Sequence, residues 1–137
     1  MKPDSTTPIL VVGLGCQRGC DVDTLRALFH TALDAEGIDP RRINALASIE
    51  HKRDEPGLLA LADALRLPLQ FFAAEQLAVY ATRLSHRSAL AFTRTGCHGI
   101  AESAALALAE QLSGRPARLL ITRQKNLQAT FALACAG

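Results

Sequence analysis

The chain predicts an α/β fold in which helices cover a central sheet that is mixed, mainly parallel, and finished by a C-terminal β-hairpin. Three observations carry that expectation. Apolar runs of strand length alternate with helical periodicity through the first 72 residues. A glycine-rich turn opens the first helix. From Leu119 onward, two apolar runs are joined by a short polar turn, which makes the last pairing antiparallel.

The first strand is the β-branched run starting at Ile9, which feeds the turn Gly13-Leu14-Gly15-Cys16-Gln17-Arg18-Gly19-Cys20. Val22, Leu25, Leu28, Phe29, Ala32 and Leu33 then repeat at helical spacing, with Asp21 as N-cap and Gly37 as the stop. Ile43 to Ile49 reads as a buried strand. A charged loop from Glu50 to Gly57 leads into a helix carrying Leu58, Leu59, Leu61, Ala62 and Leu65, which Pro68 ends. Leu69 to Phe72 is a third strand. Parallel strands joined by helical crossovers bring three loops to one edge, so residues 15–20, 50–57 and 73–76, with Arg18, Lys52, Glu55 and Glu75, are expected to share a crevice.

The second half changes character. A short helix over Ala74 to Tyr80 precedes an irregular stretch with Arg83, His86, Arg87 and Arg94. Gly96-Cys97-His98-Gly99 then opens an Ala/Leu-rich helix that Gly114 and Pro116 terminate. Leu119 to Thr122, a polar turn over Arg123 to Asn126, and Leu127 to Cys135 complete the hairpin.

Composition narrows the function. With 137 residues and 49% hydrophobic content, the chain fits one domain over residues 9–137, preceded by a flexible tail over residues 1–8. Aromatic residues make up 4%, with no Trp, and the formal net charge is +2, so neither stacking platforms nor a basic field for nucleic acid are present. The short polar N-terminus and the glycine-broken apolar run give no signal peptide or membrane span, so the expected location is cytoplasmic. Cysteines 16, 20, 97 and 135 read as free thiols.

The turn is the strongest chemical motif. Gly13, Gly15 and Gly19 permit positive φ and close backbone approach, the following helix N-terminus favours an anion, and Arg18 adds a fork of donors. The same glycines also suffice to turn a strand into a helix. A dinucleotide fingerprint fits poorly, because Gly13-x-Gly15-x-x-x-Gly19 has one residue too many and the later chain supplies no second mononucleotide-binding half. Cys16, beside Arg18 and a helix N-terminus, is in a position that lowers a thiol's pKa, but a small, partly buried packing residue is the favoured reading, because Cys16-x-x-x-Cys20 is not a redox C-x-x-C and the sequence assigns it no catalytic partner. Lys52 precedes a helix N-terminus, where a cation is unfavourable unless it faces something negative. Asp54 and Glu55 complement that helix dipole, and Arg123 and Lys125 flank a turn. His30 and His86 read as structural. Cys97, His98, His51 and Cys16 lack metal-ligand spacing, so no metal site is expected.

The turn, together with Ala47-Ser48-Ile49-Glu50-His51-Lys52-Arg53-Asp54-Glu55-Pro56-Gly57-Leu58, resembles the CobE/CbiG C-terminal domain family of cobalamin (vitamin B12) biosynthesis, most of all its stand-alone CobE form. Phe72-Ala73-Ala74-Glu75-Gln76-Leu77, Gly99-Ile100-Ala101-Glu102-Ser103-Ala104-Ala105-Leu106, and Arg123-Gln124-Lys125 with Thr130 to Ala134 continue the likeness in order. Glu50 stands where relatives usually carry Asp, Arg123 where they carry Lys, and Cys97-His98 in a turn that is commonly Gly-Val-Gly-like.

The resemblance implies a three-layer α/β/α domain that binds a carboxylate-rich precorrin, a tetrapyrrole intermediate of the corrin ring, as carrier or helper of its conversion in the aerobic pathway. In longer relatives the domain belongs to a hydrolase that opens a δ-lactone on a cobalt-containing precorrin, which makes a lactone hydrolase the alternative. The substrate-binding residues it implies are Gly13, Gly15, Cys16, Arg18, Gly19, Lys52, Glu55, His98, Glu102 and Lys125. Glu55 and Glu102 are assigned to holding loops or capping helices before any acid/base role, and Cys16 and Glu55 are the catalytic candidates. No cofactor is implied, any cobalt entering with the corrinoid. Other corrin-pathway enzymes are the implied protein partners.

Overall fold

The computed structural model describes residues 8–85 and 99–137. His86, Arg87, Arg94, Cys97 and His98 lie outside the described residues, as does the expected tail apart from Pro8. The elements are β1 (Ile9–Cys16), α1 (Val22–Ala35), β2 (Ala45–Ile49), α2 (Pro56–Leu65), β3 (Leu69–Phe72), α3 (Ala74–Ala78), α4 (Ile100–Ser113), β4 (Ala117–Lys125) and β5 (Ala129–Ala136). Turns of 3-10 helix stand at Pro40–Arg42, Glu50–Lys52 and Ala81–Arg83.

The sheet has the order β3-β2-β1-β5-β4. β1 pairs parallel with β2, and β2 with β3. Only β5 runs against its neighbours, β1 and β4, so the other four strands point one way. The carboxyl ends of β1 to β4 therefore share one edge.

Alternation along β1 builds the layers. Leu10, Val12 and Leu14 enter a core with Leu25, Phe29 and Leu33 of α1 and Leu58 and Leu61 of α2. Val11 faces the opposite way, into a core made with Ala104, Ala105 and Leu108 of α4, and Leu77 of α3 packs there too. Residues Ala101 to Ala109 of α4 are all buried, the polar Glu102 and Ser103 included. A helix buried on so many sides needs small side chains to approach the sheet, and its alanines provide them.

Several expected boundaries move for identifiable reasons. β2 begins at Ala45, because Asn44 takes its bonds outside the ladder: its N–H donates to Leu10 O and its Oδ1 accepts from Leu10 N–H, both at 2.8 Å. α3 ends at Ala78, short of Tyr80. Asp21 occupies the N-cap position of α1 without a side-chain capping bond. The hairpin turn is corrected most: Arg123 to Lys125 are the end of β4, and the reversal falls at residues 126–128. There Asn126 Oδ1 accepts from the N–H groups of Gln128 and Ala129, which makes the turn without a glycine. Gly37 and Gly114 do end α1 and α4, each with positive φ.

Candidate functional site at the carboxyl edge of the sheet

The end of β1 separates the sequence-predicted residues onto two faces of the sheet. Cys16, Gly19, Lys52 and Glu55 gather on the α1/α2 side. Gly13, Gly15, Glu102 and Lys125 belong to the α4 side.

On the α1/α2 side, the turn after β1 is closed by its own chain. Gly19, at φ +76°, points its N–H at Glu55 Oε2, 2.7 Å away. Gln17 N–H donates to Gln128 O at 2.8 Å, and Cys20 N–H to Gln17 O at 3.1 Å. Asp21 N–H reaches Gln128 Oε1 at 3.4 Å. Glu55, only 8% exposed, occupies the N-cap position of α2 yet makes no capping bond there, since its carboxylate crosses to Gly19 instead. Loops 15–20 and 50–57 are thus brought together as expected. Glu75 of the third loop is exposed, and among the described residues no hydrogen bond ties it to the other two.

The expected lowering of the Cys16 pKa is corrected. Burial, followed by the neighbouring Cys20 thiol and Glu55 carboxylate, pushes it up to about 12, against a smaller opposite pull from Lys52. Cys20 is raised as well, first by burial and then by Glu55. Both thiols are thereby disfavoured as thiolates, against the activation expected for Cys16.

On the α4 side, the glycines serve contact rather than turning. Gly13 and Gly15 lie within β1, and Gly19 alone of the three has positive φ. A Cβ on Gly13 would stand 1.9 Å from Ala101 O and 2.8 Å from Ala105 N, inside the backbone of α4. A Cβ on Gly15 would stand 2.6 Å from Thr130 Oγ1. Thr130 is opposite Gly15 on β1 and opposite Lys125 on β4, which sets these three residues in a row across the edge.

Glu102, 1% exposed, braces the same region. Its carboxylate accepts from Ser85 N–H and Arg123 N–H, each at 2.8 Å, and from the Ser85 hydroxyl. Arg123 sits where the β4–β5 register slips between Ile121 and Gln124, so its amide is available to a side chain. One helix pitch-pair further along α4, Glu110 accepts from Tyr80 OH, Arg83 and Ala117 N–H at 2.9–3.0 Å. Burial works against the charge of Glu110, but the bonds from Ala117, Arg83 and Tyr80 prevail and hold its pKa below the usual value.

The cations are placed differently from the acids. Arg18 and Lys125 are exposed and Lys52 is partly buried. Among the described residues the ion pairs are Arg41–Asp39 and Arg83–Glu110, and none of these three cations takes part. Gln128 and Thr130 were not singled out from sequence as site residues; polar side chains inside the apolar run Leu127 to Cys135 were the available signal. Among the described residues no three His, Cys, Asp or Glu side chains are grouped to hold a metal ion, and no helix is long and apolar enough to cross a membrane.

Comparison with known proteins adds to this geometry. The family described as Cobalamin synthesis G C-terminus matches residues 10–134. Protein CobE of Sinorhizobium sp is 39% identical over 125 residues, covering 91% of this chain and 79% of the relative. The cobalt-precorrin-5A hydrolase of Salmonella typhimurium is 38% identical over 68 residues, which are 50% of this chain and 19% of that much longer protein. The crystal structure of CobE, a protein from the cobalamin biosynthetic pathway, superposes with a TM-score of 0.91 at 45% identity, covering 95% of this chain and 92% of the other. The cobalamin biosynthesis protein chiG from Agrobacterium tumefaciens gives 0.70 at 30% identity, over 92% and 97%.

Proposed function

The chain belongs to the Cobalamin synthesis G C-terminus family and is a cobalamin-biosynthesis protein, and from that premise we propose that it binds a carboxylate-rich precorrin at the carboxyl edge of its sheet. One observation carries the reading. Glu55 and Glu102 are buried and turned onto backbone amides, whereas Arg18, Lys52 and Lys125 stand outside the ion pairs among the described residues. The edge thus presents three cations that no ion pair engages among the described residues, beside the exposed acids Asp21, Glu50 and Asp54. Corrin intermediates carry a rim of acetate and propionate arms, and separated cations are what such a rim requires. Arg18 offers a planar fork for one carboxylate, while Lys52 and Lys125 act as point charges for others. Lys125, two strands from β1, is about 10 Å from Gly15 at the usual strand spacing, so the charges are spread rather than clustered.

The role that follows is that of carrier or helper, holding the intermediate for conversion. A hydrolase acting through Cys16 draws no support from a thiol whose pKa is about 12. Titration of the protein with a purified precorrin, followed through its visible spectrum, tests the reading. Binding is expected at micromolar concentration, and Arg18→Ala should weaken it by about tenfold, the worth of one charge-assisted bond. No spectral change at tens of micromolar overturns the proposal. Release of acetaldehyde from a lactone-bearing corrinoid would favour the hydrolase instead.

A further inference from the structure

The hydroxyl of Thr130 has no place in the roles assigned so far, and its surroundings are unusual for a strand residue. Gly15 lies in extended β1, where glycine is unfavourable because it gives up conformational freedom and packs nothing. Its backbone does not require glycine, since its φ is not positive. What excludes a side chain is the Thr130 hydroxyl itself, 2.6 Å from where the Cβ would be, while Ile100 lines the other side at 3.6 Å. The missing side chain makes room for that oxygen.

Contrast with Ser48 indicates what the oxygen is for. Ser48, fully buried on the α1/α2 side, donates to Leu14 O at 2.6 Å and is satisfied within the fold. Thr130 is only partly buried, and among the described residues no hydrogen bond engages its hydroxyl. It lies directly across from Lys125, and residues opposite each other on adjacent strands put their side chains on the same face. A lysine attracts a carboxylate without fixing its direction, whereas a hydroxyl on a stiff β-branched side chain supplies a directed donor.

We propose that Thr130, seated over Gly15, is a ligand-binding residue that donates its hydroxyl to the same carboxylate arm that Lys125 neutralises. This rests on the carboxylate-binding reading above. It adds an orienting contact for one particular arm on the α4 side.

Thr130→Val keeps the branched shape and removes the donor, and Thr130→Ser keeps the donor. Uroporphyrin, a tetrapyrrole bearing only acetate and propionate arms, serves as probe, with binding read by absorbance and folding by thermal unfolding. Thr130→Val is expected to raise Kd about tenfold or more while Tm stays close to that of the unmodified protein, and Thr130→Ser to restore Kd to within about threefold. Equal Kd for Thr130→Val and the unmodified protein, with Lys125→Ala still weakening binding, overturns the role of Thr130 and leaves the carboxylate reading standing. Failure of the unmodified protein to bind uroporphyrin or precorrin overturns both.

Discussion

The two faces of β1 use the same residue types, a glycine and a buried carboxylate, for different physical ends. On the α1/α2 side, Gly19 adopts a left-handed conformation with open space around it, and Glu55 closes the loop that results. On the α4 side, Gly13 is extended and is glycine because the backbone of α4 presses onto it, while Glu102 takes the amide that a slipped register leaves over. Turning the chain selects glycine at Gly19, and close approach to α4 selects it at Gly13. In both cases the acid is turned inward onto a backbone amide.

Substitution of the glycines is the strongest way to break this comparison. Gly13→Ala drives a methyl group into fixed backbone and should cost about 3 kcal/mol or more. Gly57→Ala, whose Cβ would meet Cys20 O at 2.3 Å, should follow, since only one close carbonyl has to move. Gly19→Ala meets nothing and suffers only the left-handed backbone, about 1–2 kcal/mol. Denaturant unfolding should return that order. Equal losses at Gly13 and Gly19 would mean that close approach to α4 is not what selects glycine in the strand.

The carboxylates come next. Glu102→Ala removes the acceptor of two backbone amides and a hydroxyl at a 1% exposed position, so a loss of about 2–3 kcal/mol is expected, because those donors are left unpaired. Glu55→Gln keeps an oxygen within reach of Gly19 N–H and loses only the charge, for about 1 kcal/mol. Thermal unfolding of the two variants measures the difference. A larger loss from Glu55→Gln would make the loop closure, rather than the α4 brace, the more critical tie.

How much of this was legible in the sequence depends on the range of the interaction. The alternation of β1, α1, β2, α2 and β3, and the stops at Gly37 and Gly114, follow from periodicity and left-handed caps, which are properties of neighbouring residues. The end of β4 was misread as a turn because Arg123, Gln124 and Lys125 belong to a sheet-edge strand whose polar side chains meet solvent, and because the true turn relies on an Asn126 side chain rather than a glycine. The gathering of loops 15–20 and 50–57 follows from parallel topology. The partners themselves do not: Gly13 owes its identity to Ala101, and Gly19 N–H meets a carboxylate 36 residues away. The expected direction of the Cys16 pKa shift fails for the same reason. A helix N-terminus and Arg18 are visible nearby in sequence, but the burial that dominates Cys16 is a property of the packed loops.

The smallest effect is expected at Cys16, and it tests whether the α1/α2 side carries chemistry or only structure. Because its pKa is raised to about 12, the folded protein keeps the proton where an unfolded chain would release it. Its contribution to stability is complete below the ordinary value of 9.0 and is lost progressively as pH rises from there towards 12. At pH 7.4 the thiolate is therefore scarce, and iodoacetamide should modify Cys16 at least about a hundredfold more slowly than a free cysteine, since only the thiolate attacks. Cys16→Ser should leave precorrin binding unchanged and shift stability by less than about 1 kcal/mol, removing with it the decline above pH 9 that belongs to this thiol. Rapid labelling at neutral pH, measured by mass spectrometry of the intact chain, would show the loop to be more open than its bonds to Glu55 and Gln128 allow. That result would return Cys16 to the nucleophile's role and make the two faces of β1 chemically, as well as structurally, different.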